Sequence, residues 1–131
     1  MAGLNMHRAP AIVILGPGSL ATAQRIQACY PQATIHGLEG RVEGADQSYV
    51  SFGDTLRGLY QQDTPIIALC AAGIVIRSLA ALLCEKGSEP PVLAVAEDGS
   101  AVVPLLGGLG GVNVMAREIA DALGVSAAIT T

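Results

Sequence analysis

"TPIIALCAAGIVIRSLAALLCEKG", residues 64–87, sets an uncharged aliphatic run directly against a segment of helical length. "TPIIALCA" (64–71) is too short and too evenly apolar for an amphipathic helix. It reads as a strand buried on both faces, the kind found in parallel sheets. "GIVIRSLAALLCEKG" (73–87) follows as a helix with charged residues near its end and Gly87 as its stop. A buried strand running straight into a helix is half of a βαβ unit, so the rest of the chain is read for repetitions of that alternation.

Repetitions occur on both sides. Upstream, "AIVILG" (11–16) is a second aliphatic strand, and "SLATAQRIQACY" (19–30) has apolar residues near helical spacing behind Ser19 as N-cap. "ATIHGL" (33–38) is a weaker strand, "EGRVEGADQSYVSFGD" (39–54) a surface loop, and "TLRGLYQQ" (55–62) a short helix capped by Asp54. Downstream, the Asp-Gly turn in "PPVLAVAEDGSAVVPLL" predicts a β-hairpin near residues 91–105. A helix over 112–124 and a closing strand over 126–131 complete an α/β domain of three layers, with a mostly parallel sheet and helices on both faces.

Composition agrees and narrows the function. At 131 residues the chain is the length of one domain, so residues 1–131 are taken as a single unit. With one Phe, three Tyr and no Trp, its core is built from Val, Ile, Leu and Ala. Seven Lys and Arg against eleven Asp and Glu leave a net charge of −4, the wrong sign for a phosphate backbone, so no nucleic acid is expected. No apolar run approaches the ~20 residues of a membrane span and "MAGLNMHRAP" lacks a signal-peptide core, so a cytoplasmic protein without membrane contact is expected. Cys29, Cys70 and Cys84 show no metal-binding spacing and read as buried free thiols. Neither a cofactor nor a metal is expected. A homodimer is compatible with so aliphatic a chain, although no seam stands out.

In parallel sheets, ligands bind beyond the carboxyl ends of the strands, where loops lead into helix N-termini. Three junctions have that form: "GPGS" (16–19), "CAAGIVIR" (70–77) and "GGLGGVN" (107–113). Bare backbone lets a ligand approach the unpaired amides of a first helical turn, which favour carboxylates or phosphates. Turn geometry alone accounts for "GPGS". The run Gly107, Gly108, Gly110, Gly111 gives up more backbone entropy than a simple turn requires, and so points to a site. Arg77, one turn into its helix, either reaches an anion or is a solvated side chain. Asn113 either donates to a ligand or caps the last helix.

A rival stands in "GPGSLA", which fits G-x-G-x-x-A between strand and helix, with Glu39 23 residues after Gly16, near where a ribose-binding acid would fall. The alternative is therefore a dinucleotide-binding domain, although the chain has no room for the substrate domain of a dehydrogenase. Catalytic groups are few. His7 lies near the terminus, His36 reads as a half-buried strand residue, and Cys70 as a buried thiol. Glu97 and Asp98 belong to the hairpin turn, while Glu118 and Asp121 face solvent from one helix.

The stretches "CAAGIVIR" (70–77), "LLCEKGSEPPVLAVAEDG" (82–99) and "LLGGLGGVNVMAREIADALGVSAAITT" (105–131) come in the order of, and closely resemble, motifs of the N-terminal domain of CbiG proteins in cobalamin biosynthesis. The resemblance implies work on a corrin-ring intermediate. That family opens the ring-A lactone of cobalt-precorrin-5A and releases acetaldehyde. Its substrate is a macrocycle fringed with acetates and propionates, the polyanion that glycine-rich helix starts and an arginine suit. By that transfer Gly73 and Arg77, with Gly107, Gly108, Gly110, Gly111 and Asn113, are the expected substrate contacts. The expected partner is a C-terminal CbiG or CobE-like domain, or a precorrin methyltransferase. Where the family has "SGHLGGAN", this chain has "GGLGGVN", one residue shorter and without the Ser and His. The resemblance therefore leaves two roles open, a lactone hydrolase and an accessory binding domain.

Overall fold

The computed structural model describes residues 8–84 and 89–131. The elements run β1 (Ala11–Ile14), α1 (Leu20–Gln27), β2 (Thr34–Leu38), β3 (Gln47–Tyr49), α2 (Phe52–Gln61), β4 (Ile66–Leu69), α3 (Ala72–Leu79), β5 (Val92–Val95), β6 (Val102–Leu106) and α4 (Val112–Leu123). Six strands form one sheet in the order β3-β2-β1-β4-β5-β6. All neighbours are parallel except β5 and β6, the predicted hairpin.

The layers follow from strand alternation. Ile12, Ile14, Ile35, Ile67, Leu69, Leu93 and Val95 face α1 and α4, where Ile26, Ile119 and Leu123 meet them. Ala11, Val13, Ile66, Ala68, Val92 and Ala94 face α2 and α3, where Leu56, Val75 and Leu79 meet them. Val13, Ala68 and Ala94 lie side by side in register, and the two alanines let α3 sit close to the sheet. A fully buried Leu or Ile in either layer is worth roughly 2–5 kcal/mol against truncation to Ala.

Several boundaries differ from the sequence reading. The loop over 39–54 contains β3, a three-residue strand parallel to β2 whose one buried side chain, Tyr49, gives no periodic signal. Its hydroxyl donates to the Ile14 carbonyl at 2.7 Å and ties the sheet edge to the centre. The cap of α2 is Ser51, not Asp54: Ser51 Oγ accepts from the Asp54 amide at 3.2 Å, leaving Asp54 in the first turn paired with Arg57. The Ser-x-x-Asp spacing is a capping-box signature that places the start there.

The α-helix predicted over 73–87 spans Ala72–Leu79 and continues as a 3-10 turn over Ala80–Cys84. Ser78 Oγ donates back to the Ile74 carbonyl, and Arg57 donates to the Ser78 carbonyl that a further α-turn would need. The Gly87 stop lies outside the described residues, as does His7. The closing strand over 126–131 reduces to a single parallel bridge, Val102 with Ala127, beside the outer edge of β6. Of the three thiols only Cys70 is buried; Cys29 is half-buried and Cys84 exposed. Among the described residues no helix is long and apolar enough to cross a membrane.

Candidate functional site

Strand direction sorts the three glycine-containing junctions into two places. Strands β1 to β5 are parallel, so "GPGS" after β1 and "CAAGIVIR" after β4 leave the same end of the sheet. They leave from neighbouring strands at the point where the strand order reverses. Strand β6 runs the other way. Its last residue, Leu106, pairs with Val92, the first of β5, so "GGLGGVN" emerges at the opposite end. About 13 Å of strand separates the two ends. Gly73 and Arg77, one turn apart on α3, thus lie at one end, while Gly107, Gly108, Gly110, Gly111 and Asn113 form a second group that no small ligand reaches at the same time.

At the first end lies a cleft of about 640 Å³ lined by Leu15, Cys70, Ala71, Ala72, Glu97 and Asp98 among others. Helix α3 starts here behind Ala71, which offers no side-chain cap; the Ile74 amide donates to the Ala71 carbonyl at 3.0 Å, and the amides of Ala72 and Gly73 are left for water or a ligand. The Arg77 guanidinium folds back along α3 towards that turn: a Cβ on Gly73 would stand 3.3 Å from Arg77 Nη1. Arg41, which the sequence reading overlooked, is placed similarly over the neighbouring junction, with Nη2 3.6 Å from where a Gly16 Cβ would be. Both arginine side chains are exposed and carry no hydrogen bond or ion pair among the described residues.

Glu97 and Asp98 also belong to this end, because the hairpin turn follows the carboxyl end of the parallel strand β5. That connection was the signal in the sequence. Asp98 Oδ1 accepts from the Ser100 amide at 3.0 Å, which stabilises its charge and lowers its pKa. Burial, with the Glu97 carboxylate nearby, pushes the Cys70 thiol up to about 11, so it is a protonated, inert thiol at neutral pH. Burial likewise pushes the Tyr49 hydroxyl up to about 12.

The second cleft, about 820 Å³, is lined by Arg8, Tyr30, Gly110, Gly111, Val114 and Glu118 among others. Tyr30 donates to Glu118 Oε1 at 2.6 Å across it, linking the region after α1 to α4, and burial, followed by this bond, raises the Tyr30 pKa. Two of the glycines have reasons inside the fold. Gly107, with φ +91°, would carry a Cβ 2.6 Å from the Pro91 Cα, and Gly111 holds φ +94° at the start of α4. Gly108 meets nothing within 4 Å. Asn113 is not the cap of α4, a position Gly111 occupies; its Nδ2 donates to Thr131 Oγ1 at 3.1 Å. No cluster of metal-ligating side chains occurs among the described residues. His36 is half-buried in β2, as its sequence suggests.

Comparison with known proteins decides the family. The family model described as "Cobalamin synthesis G N-terminal" matches residues 54–131, more than half the chain. The chain belongs to this family. Over 122 residues it is 36% identical to the cobalt-precorrin-5A hydrolase of Salmonella typhimurium, an alignment covering 92% of this chain and 35% of that protein. It is 26% identical over 128 residues to the cobalt-precorrin-5A hydrolase of Priestia megaterium, covering 92% and 34%. The chain therefore spans about a third of the length of these relatives. The likeness reaches into the first half, beyond the three motifs of the sequence reading. A crystal structure of a cobalamin biosynthesis protein G homologue from Sulfolobus solfataricus shares the fold, with a TM-score of 0.68 over 99% of this chain and 39% of that one at 19% identity.

Proposed function

We propose that this domain binds a polycarboxylated corrin intermediate of cobalamin biosynthesis at the carboxyl ends of β1 and β4, as part of cobalt-precorrin-5A lactone opening. The observation that carries the reading is the position of Arg77. Its unpaired guanidinium lies over Gly73 at the uncapped start of α3, at the strand-order reversal of a domain whose relatives are named for that hydrolysis. A guanidinium offers paired donors to a carboxylate, and a helix start adds favourable dipole. Arg41 over Gly16 supplies a second cationic contact on the adjacent strand, suited to a macrocycle carrying several acidic arms.

Gly110 and Gly111 line the second cleft, and Gly107, Gly108 and Asn113 lie at the same end of the sheet, where in this reading the partner is the remainder of a longer CbiG-like protein. A titration of the chain with a cobalt-precorrin-5A preparation, followed by its visible spectrum, tests the assignment. Arg77→Ala is expected to weaken binding at least tenfold and Asn113→Ala to leave it within twofold; the reverse pattern moves the substrate to the opposite end of the sheet. The strand order and Glu39 just beyond β2 support a second reading, a dinucleotide held at "GPGS". Binding of NAD(P) that is lost in Gly16→Val, without corrinoid binding, selects it.

A further inference from the structure

The lactone chemistry of the preceding reading needs a group that accepts the proton of an attacking water. The cleft at the start of α3 offers three groups that could take it, Cys70, Asp98 and Glu97. Cys70 is a protonated thiol, and Asp98 has its carboxylate engaged by the Ser100 amide. Glu97 remains. Its side chain is exposed, lines the cleft with Ala71 and Ala72 at the start of α3, and carries no hydrogen bond or ion pair among the described residues. Glu97 and Cys70, at the end of the central strand, line the same cleft.

We propose that Glu97 is the general base of lactone opening, taking a proton from a water molecule that attacks the ester carbonyl of a substrate held by Arg77. The water oxygen forms a bond to the carbonyl carbon and its proton passes to Glu97. The carbonyl oxygen takes up the electron pair facing the first-turn amides of α3. Collapse breaks the bond to the ring oxygen, which leaves with its electron pair and receives the proton from Glu97. The products are a carboxylic acid, which ionises to a carboxylate and a proton, and a free hydroxyl. No oxidant, metal or second substrate enters the balance. A carboxylate on a hairpin tip next to an uncapped helix start supplies both the base and the oxyanion donors from rigid parts of the sheet.

The inference rests on the substrate reading above, and the experiment separates the two. The chain and its Glu97→Gln variant are compared for binding, by visible titration with a cobalt-precorrin-5A preparation, and for lactone opening, read by mass spectrometry as loss of the lactone substrate. The expected result is turnover by the parent chain, with Glu97→Gln binding within threefold of it and opening the lactone at least a hundredfold more slowly. Equal turnover by the two chains overturns the role of Glu97 and leaves the substrate reading standing. Binding without turnover by the parent chain does the same, and makes the domain a binding module. Absence of binding overturns both.

Discussion

The guanidinium of Arg77 lies tightly against the place a side chain on Gly73 would take, with Nη1 3.3 Å from the position of a Gly73 Cβ. The two residues are one turn apart on α3, so the glycine that weakens the helix is also what lets the arginine lie back towards the helix start. Gly73→Ala is therefore expected to raise stability by up to ~1 kcal/mol, because alanine is the better helix former and the crowded atom ends a flexible side chain. The same change is expected to displace Arg77 and weaken corrinoid binding several-fold. Denaturant midpoints and a spectral titration on one variant read both effects. Equal binding would separate Arg77 from the ligand.

The glycines of the 107–111 turn are predicted to be unequal. Gly107 is buried against Pro90 and Pro91 with φ +91°, so Gly107→Ala combines a left-handed backbone with a backbone clash and is expected to cost about 2–4 kcal/mol. At Gly108 a Cβ meets nothing within 4 Å and φ is not in the left-handed region, so Gly108→Ala is expected to change stability by less than ~0.5 kcal/mol. Paired urea melts of the two variants check the difference. If both are neutral, the turn is not held by its contact with Pro91.

Ser19 stands at the cap position of α1, yet its Oγ is buried and has no hydrogen-bond partner. Replacing a capping serine by alanine usually costs ~1 kcal/mol. Here the hydroxyl caps nothing and loses its water, so Ser19→Ala is expected to be neutral or stabilising by up to ~1 kcal/mol. A lower melting temperature for this variant would show that Ser19 does cap the helix in solution.

Acid sensitivity is expected in two stages from neighbouring groups on β2 and the loop after it. Burial lowers the pKa of His36 below its ordinary 6.5, against the opposing charge of Asp46. The folded protein resists a proton that the unfolded chain accepts, so stability falls as pH drops through about 6.5. Asp46 has a pKa below its ordinary 3.8 because the Ile35 amide and Gln27 Nε2 donate to its carboxylate. Its contribution is present above that value and is lost as pH falls through the lowered folded pKa. Urea unfolding between pH 8 and pH 3 should show both stages, and His36→Gln should remove only the upper one.

What the sequence determined by itself was whatever depends on local pattern. The aliphatic runs at 11–16 and 64–71 could only be buried strands, the spacing after each could only be helical, and "EDGS" between apolar residues made a hairpin; these alone specify a layered α/β sheet. The motifs in 70–131 were enough to place the chain in its family. The three-residue strand β3 carried no such pattern, since its pairing comes from β2 and from the bond between Tyr49 and Ile14. The last segment kept only one bridge to β6, a partnership settled by the edge it meets and not by its own residues. Which functional groups meet was decided only by the tertiary structure. Reversal of β6 sends the glycine-rich turn to the far end of the sheet from Gly73 and Arg77. The same hairpin brings Glu97 to the near end, because side chains share a site according to the direction of the strands that carry them, and no local spacing encodes that direction.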